Sequence, residues 1–108
     1  MSVASPAQAA AISRILQGAE IPRSSETFVK GVVWQTEGFV AGVSDGEVKV
    51  EYIVASLEEN PEAVRETGLS RCEAALLVAG YPVERRQACV TEPGASVMRE
   101  CLFVGQRP

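Results

Sequence analysis

The chain has 108 residues, no histidine and a net charge of −4, and 46% of its residues are hydrophobic. An acidic balance argues against a nucleic-acid partner or an anionic membrane, because either would normally require a basic patch. The missing histidine removes the usual general base near neutral pH and the commonest metal ligand, which excludes a Ser-His-Asp or Cys-His device within one chain. We predict one folded domain over residues 1–108, frayed at 1–4 and 105–108.

The N-terminal stretch MSVASPAQAAAISRILQGAE has no positive charge before its apolar part and no long apolar run. It therefore lacks the pattern of a secretory signal and that of a membrane span. The three cysteines are an odd number, which fits a reducing compartment better than a disulfide framework. We expect a cytoplasmic protein.

A first helix is predicted to begin at Ser5, where the sequence Ser-Pro-Ala-Gln forms a capping box, and to end at Gly18. Its apolar residues recur at helical spacing along one side. They are Ile12, Ile15, Leu16 and Ala19. This stripe must be buried on the protein's own sheet or on a partner.

The stretch Thr27–Ala55 predicts three antiparallel strands with tight turns at Glu37-Gly38 and Asp45-Gly46, because glycine reaches the positive φ angles that such turns require. A three-residue loop over Thr36–Gly38 pairs Gln35 with Phe39, Val33 with Ala41 and Gly31 with Val43. A two-residue loop at Asp45-Gly46 pairs Val43 with Val48, Ala41 with Val50 and Phe39 with Tyr52.

Side chains alternate between the two faces of a strand, so this register predicts one fully apolar face and a second face that is only partly polar. The second face carries Phe28, Val32, Trp34 and Val40. One interpretation places the first helix over Trp34, which would make these residues core. The other makes them a self-association or partner surface, because an aromatic anchor in an apolar patch often lies at the centre of an interface. A shallow hollow at Gly42, beside Val32, would admit a small apolar ligand.

A second helix is predicted to begin at Asn60-Pro61 and to end at Gly80. Gly68 interrupts its pattern, so Pro61–Thr67 and Arg71–Ala79 are expected to be two segments joined by a kink. Several carboxylates cluster around the helix start, where they complement the helix dipole. They are Glu58, Glu59, Glu62 and Glu66.

The last part of the chain predicts a second hairpin that turns at residues 93–96. A pairing centred on Ala95 sets Ala88 opposite Leu102, Val90 opposite Glu100 and Cys89 opposite Cys101. Cys89 and Cys101 would then be a possible redox pair, the alternative being free thiols that behave as small hydrophobic groups. The cysteines have no Cys-x-x-Cys spacing and no glycine-rich phosphate loop follows a strand, so we expect no metal site and no cofactor.

The segment from Asn60 to Val104 resembles the C-terminal part of the 4-vinyl-reductase-like ligand-binding domains and related myxobacterial domains. The matching residues are the AALLVAG helix, Pro82-Val83-Glu84, Cys89-Val90, Gly94 and Cys101-Leu102-Phe103. The resemblance covers under half of the chain. It implies a small-molecule-binding or regulatory module, often dimeric.

The small acidic chaperones of specialised secretion systems are similar in size, charge and order of elements, although the chain lacks their final helix. Helix, three strands, helix and two strands predict an α+β fold, with one mainly antiparallel sheet and helices packed on it. The leading hypothesis is a non-catalytic binding or regulatory module, homodimeric through the face that carries Trp34. The alternatives are a secretion-type chaperone or adaptor for a protein partner, and a small enzyme that uses carboxylates such as Glu51 or Glu100.

Overall fold

The computed structural model describes residues 3–92 and 95–107, and over them the chain forms an α+β fold. Its elements are α1 (Pro6–Gly18), β1 (Glu26–Val29), β2 (Val32–Gln35), β3 (Gly38–Ser44), β4 (Glu47–Ile53), α2 (Pro61–Val78), β5 (Val83–Glu92) and β6 (Ala95–Val104). The strands form two antiparallel sheets, a hairpin of β1 and β2 and a four-stranded sheet in the order β3-β4-β6-β5. The predicted α+β fold with helices packed on a sheet is confirmed.

Helix α1 begins with the predicted capping box. The Gln8 backbone N–H donates to Ser5 Oγ at 3.4 Å, and the Ser5 backbone N–H donates to Gln8 Oε1 at 2.7 Å. Ile12 and Leu16 are buried on the sheet beneath the helix, and α1 contacts β3, β4 and α2. The helix therefore covers the four-stranded sheet of its own chain, and the interpretation that places it over Trp34 is wrong.

The β3–β4 hairpin turns at Asp45-Gly46, where both residues have positive φ, +49° and +78°. All three predicted pairs of this hairpin are observed, because a two-residue turn of this kind fixes the register. The face towards the helices holds the core. Its buried members include Phe39, Val48, Val50, Tyr52, Leu102 and Val104.

The strand predicted to precede β3 does not join this sheet. The segment reverses at Lys30-Gly31, and its two halves, β1 and β2, pair with each other. The predicted pairings of Gln35, Val33 and Gly31 with β3 are therefore wrong. Gly38 has a different role from the one predicted. A Cβ atom at Gly38 would collide with the backbone of residues 22–24, which crosses beside the start of β3. The glycine permits this close approach and closes no hairpin.

Helix α2 is continuous from Pro61 to Val78, and the predicted kink at Gly68 is wrong. Gly68 is buried against the ring of Tyr52, where any Cβ atom would overlap the ring. The glycine brings the helix close to the sheet. Asn60 precedes the helix, but its side chain makes no capping hydrogen bond. No helix in the described ranges has the length and apolarity to cross a membrane.

Strands β5 and β6 form the predicted C-terminal hairpin in a different register. Pairing continues to Glu92 opposite Ala95, so Ala95 and Ser96, which were predicted to lie in the turn, belong to β6; Pro93 and Gly94 of the predicted turn lie outside the described residues. The shift places Arg86 opposite Cys101. Near the chain ends, the Ala4 N–H donates to the Gly46 carbonyl and the Gly105 N–H to the Pro82 carbonyl, both at 2.9 Å.

Candidate functional site

The β1–β2 hairpin, residues 26–35, is the candidate site, and we call it the apolar arm. Its turn residues Lys30 and Gly31 have φ of +51° and +79°, the pattern of a two-residue turn with positive φ at both positions. The turn fixes Val29 opposite Val32 and Phe28 opposite Val33. Two short strands of β-branched and aromatic residues are thereby closed into a ribbon.

The side chains of the apolar arm lie largely in solvent. Phe28 is 71% exposed and Trp34 is 39% exposed, and the valines of both strands are also exposed. Strands β1 and β2 contact chiefly each other, whereas every other strand contacts at least one helix. The apolar arm thus presents a set of large apolar side chains that its own chain covers only in part.

The four residues of the predicted patch do not share one face. Val32 and Trp34 lie on one face of the apolar arm together with Val29, while Phe28 lies on the opposite face with Val33. Val40 belongs to β3 in the other sheet. The reversal at Lys30-Gly31 causes this separation, and it also removes the predicted hollow between Gly42 and Val32.

Hydrogen bonds fix the base of the apolar arm on both sides. The Thr36 N–H donates to the Ser25 carbonyl at 2.9 Å, and the Ser25 N–H donates to Thr36 Oγ1 at 2.9 Å. On the β2 side, the Ser56 N–H donates to the Gln35 carbonyl and the Gln35 N–H donates to Ser56 Oγ, both at 3.1 Å. The direction of the arm is therefore set by its base, and its apolar part projects beyond it.

A second feature lies where β4 and β6 separate. The two strands pair only from Val48 to Val50 and from Leu102 to Val104, which leaves a cleft of about 240 Å³ beyond. The two carboxylates considered for an enzymatic role, Glu51 and Glu100, both line it. Each is held by a cation, Glu51 by Lys49 at 3.3 Å and Glu100 by Arg85 at 2.8 Å. These carboxylates are ion-pair partners in the structure.

Arg85 on β5 joins α2 to the C-terminal hairpin. Its guanidinium contacts the carboxylates of Glu66 at 2.8 Å, Glu73 at 3.0 Å and Glu100 at 2.8 Å, and it donates to Ser70 Oγ at 2.9 Å. Hydrogen bonds from Arg85, and then from Ser70, lower the pKa of Glu66. Part of the predicted acidic cluster is therefore neutralised across the interface of helix and sheet.

Tyr52 makes a polar contact that the sequence did not indicate. Its hydroxyl donates to the Glu37 carboxylate, and its ring lies beneath Gly68 of α2. Burial, and then the hydrogen bond to Glu37, raise the pKa of Tyr52. The ring is almost wholly buried, so this contact fixes the loop after β2 against the core.

The cysteines do not form the predicted redox pair. Cys89 is exposed opposite Met98, whereas Cys101 is buried opposite Arg86, and all three thiols are free. Burial raises the pKa of Cys72 and of Cys101 to about 11. The shifted register puts Cys89 and Cys101 on opposite faces of the hairpin, which prevents their contact. Within the described ranges, no group of three or more Cys, Asp or Glu side chains could hold a metal ion.

Comparison with protein-family models, curated proteins and solved structures found no match to this chain.

Proposed function

We propose that this chain is a non-catalytic binding or regulatory module that self-associates through its apolar arm. The observation that carries the proposal is the exposure of Phe28, Val32 and Trp34 on a hairpin that projects from the fold. An isolated two-stranded hairpin is marginally stable in water, and three or more strands with an apolar face are normally needed. A partner would supply the missing strands and cover.

The size of the uncovered surface supports an interaction role. The five large apolar side chains of the apolar arm together expose roughly 400 Å², divided between its two faces. They are Phe28, Val29, Val32, Val33 and Trp34. A standard protein interface buries about 800 Å² on each side, so one face of the arm supplies at most about a third of one.

Two further observations agree with this proposal. The resemblance of residues 60–104 to 4-vinyl-reductase-like domains implies a regulatory module that is often dimeric. Two carboxylates of the cleft, Glu51 and Glu100, are paired with lysine and arginine, which favours binding over acid–base catalysis at these two residues. The three free cysteines favour a reducing compartment, and we place the protein in the cytoplasm.

The proposal is tested by replacing Trp34 with glutamate and measuring mass by light scattering after size exclusion in reducing buffer. We expect the unmodified chain to form a dimer near twice 11.5 kDa as concentration rises. The Trp34→Glu variant should stay monomeric and folded, because a charge in the apolar contact would be buried without a partner. Val78→Glu is the matched control, since Val78 is 90% exposed at the end of α2, away from the arm.

A Trp34→Glu variant that fails to fold would show that Trp34 is core. A variant that dimerises like the unmodified chain would remove the arm from the interface. If the unmodified chain is monomeric at every concentration, self-association is refuted and the arm is left for a different protein, which is the adaptor alternative.

A further inference from the structure

The outer edge of β1 carries backbone groups that point away from the hairpin. Backbone hydrogen bonds within an antiparallel pair alternate, and Ser25 opposite Thr36 is a bonded position. Thr27 and Val29 therefore bond to β2, while the N–H and C=O groups of Glu26 and Phe28 point outward. Among the described residues, no hydrogen bond is found from these four groups to another element.

The outer edge of β2 is different, because its base is already occupied. The outward N–H and C=O of Gln35 are both bonded to Ser56. Only Val33 keeps outward groups on that side, next to the turn. The β1 edge therefore offers two consecutive bonding positions and the β2 edge offers one. Glu26–Val29 contains no proline, no lysine and no bulge that would block pairing at this edge, and its one charged residue is Glu26.

We propose that the occupant of the β1 edge is the β1 strand of a second copy of this chain. This inference rests on the proposed function and specifies its interface. The two strands run antiparallel across a two-fold axis, with Glu26 of each copy opposite Phe28 of the other and the two Thr27 residues facing at the centre. Four backbone hydrogen bonds form, two at each Glu26–Phe28 pair, and the two hairpins become one four-stranded sheet.

This register is self-complementary in its side chains as well as its backbone. Thr27 faces its own copy, and a threonine pair across antiparallel strands is favourable. Lys30 lies two residues beyond Phe28, so its ammonium is within diagonal reach of the other copy's Glu26 carboxylate. The arm has one acidic and one basic residue, and the register brings the opposite charges of the two copies together. Trp34 stands beside Thr27, so the two indole rings extend the apolar face on either side of the axis.

The experiment is disulfide trapping in a Cys89→Ser background, which removes the exposed native thiol. Facing Thr27 residues have Cα atoms about 4.5 Å apart at a position without hydrogen bonds, which a disulfide can bridge. Val29→Cys is the matched control on the same face. In the proposed register the two Val29 residues are about 13 Å apart along the strands, beyond the reach of about 7 Å of a disulfide.

We expect mild oxidation to convert Thr27→Cys into a covalent dimer and to leave Val29→Cys without one. A dimer that is sensitive to Trp34→Glu but is not trapped by Thr27→Cys would overturn the edge pairing and leave the proposed function standing. Equal trapping of both variants would also overturn it, because no single register allows both. A monomeric chain, or a dimer that is neither sensitive to Trp34→Glu nor trapped by Thr27→Cys, would overturn both the edge pairing and the proposed function.

Discussion

The C-terminal hairpin of β5 and β6 and the apolar arm differ in how they are attached to the rest of the chain. The C-terminal hairpin of β5 and β6 is long, pairs with β4 and is attached to α2 through Arg85, which contacts Glu66 and Glu73 of the helix. The apolar arm is short and is held only at its base, by Ser24, Ser25, Thr36 and Ser56. The C-terminal hairpin contacts β4 and α2 of its own chain, whereas the apolar residues of the arm are partly exposed to water.

The charged side chains of the C-terminal hairpin and the apolar side chains of the arm differ in whether the chain supplies a partner for them. Arg85 and Arg86 on the C-terminal hairpin are matched by carboxylates from α2 and β4 of the same chain. The valines and aromatic residues of the apolar arm have no such match. Apolar surface exposed on a hairpin too short to be stable alone is the basis for our proposal that a second copy covers it.

The largest difference is expected from truncating one apolar side chain in each hairpin. Leu102 in β6 is fully buried between β4 and β5, and Leu102→Ala should lower the free energy of unfolding by about 2–5 kcal/mol because it leaves a cavity. Phe28→Ala should change it by no more than about 0.5 kcal/mol, because that side chain is exposed. Urea unfolding at a concentration where the chain is monomeric measures both. A cost at Phe28 comparable to that at Leu102 would place the apolar arm in the core.

A smaller effect is expected from Arg85→Met, which keeps the length of the side chain and removes its charge. Glu66, Glu73 and Glu100 lose their shared cation, and because the cluster is partly exposed we expect a cost of about 1–2 kcal/mol at neutral pH. Arg14→Met on the exposed side of α1 is the control and should stay within about 0.5 kcal/mol.

The Arg85→Met variant should also change how the free energy of unfolding depends on pH in acid. Folding lowers the pKa of Glu66, so its carboxylate contributes stability above its ordinary pKa of 4.5 and loses that contribution as pH falls through the lower folded value. Stability curves measured below pH 4.5 should therefore fall more steeply for the unmodified chain than for Arg85→Met. Parallel curves would mean that Arg85 does not set the pKa of Glu66.

The smallest perturbation is chemical labelling of the native thiols, which tests the register of the C-terminal hairpin. Cys89 is exposed and should react quickly with a thiol reagent. Cys72 and Cys101 should react only on unfolding, because burial hides them and raises the pKa of each to about 11, which leaves little thiolate at neutral pH. Denatured protein gives the total of three thiols. If mild oxidation rapidly removed the free thiols of Cys89 and Cys101 together, the two would be joined by a disulfide, which would contradict the observed register.

The parts of the fold that follow from local chemistry could be predicted from the sequence. The capping box at Ser5 starts α1, and Asp45-Gly46 fixes every pair of the β3–β4 hairpin. Both are decided by residues within a few positions of each other, so no tertiary contact can override them at small cost.

Other glycines misled the prediction because glycine serves several purposes. Gly38 and Gly68 were assigned to a turn and a kink, but each is required where another segment approaches too closely for a side chain. Such an approach depends on residues distant in the sequence. Lys30-Gly31 was the true turn, and its signal was present, since it lies between two apolar runs at the spacing of a two-residue loop. The sequence pattern singles out Trp34 and Phe28 as candidate site residues, which remains a prediction, but it does not indicate that they lie on opposite faces of a hairpin.

In the proposed assembly, Ser56 would also limit how many copies can join. A ribbon with two open edges could add strands on both sides, and identical copies would then continue into a fibre. By bonding both outward groups of Gln35, Ser56 leaves the β1 edge as the one edge of each apolar arm with two consecutive open positions. Once two such edges meet across a two-fold axis, no equivalent edge remains for a third copy. One serine after β4 would thus make the assembly closed, and an apolar ribbon could remain soluble at high concentration.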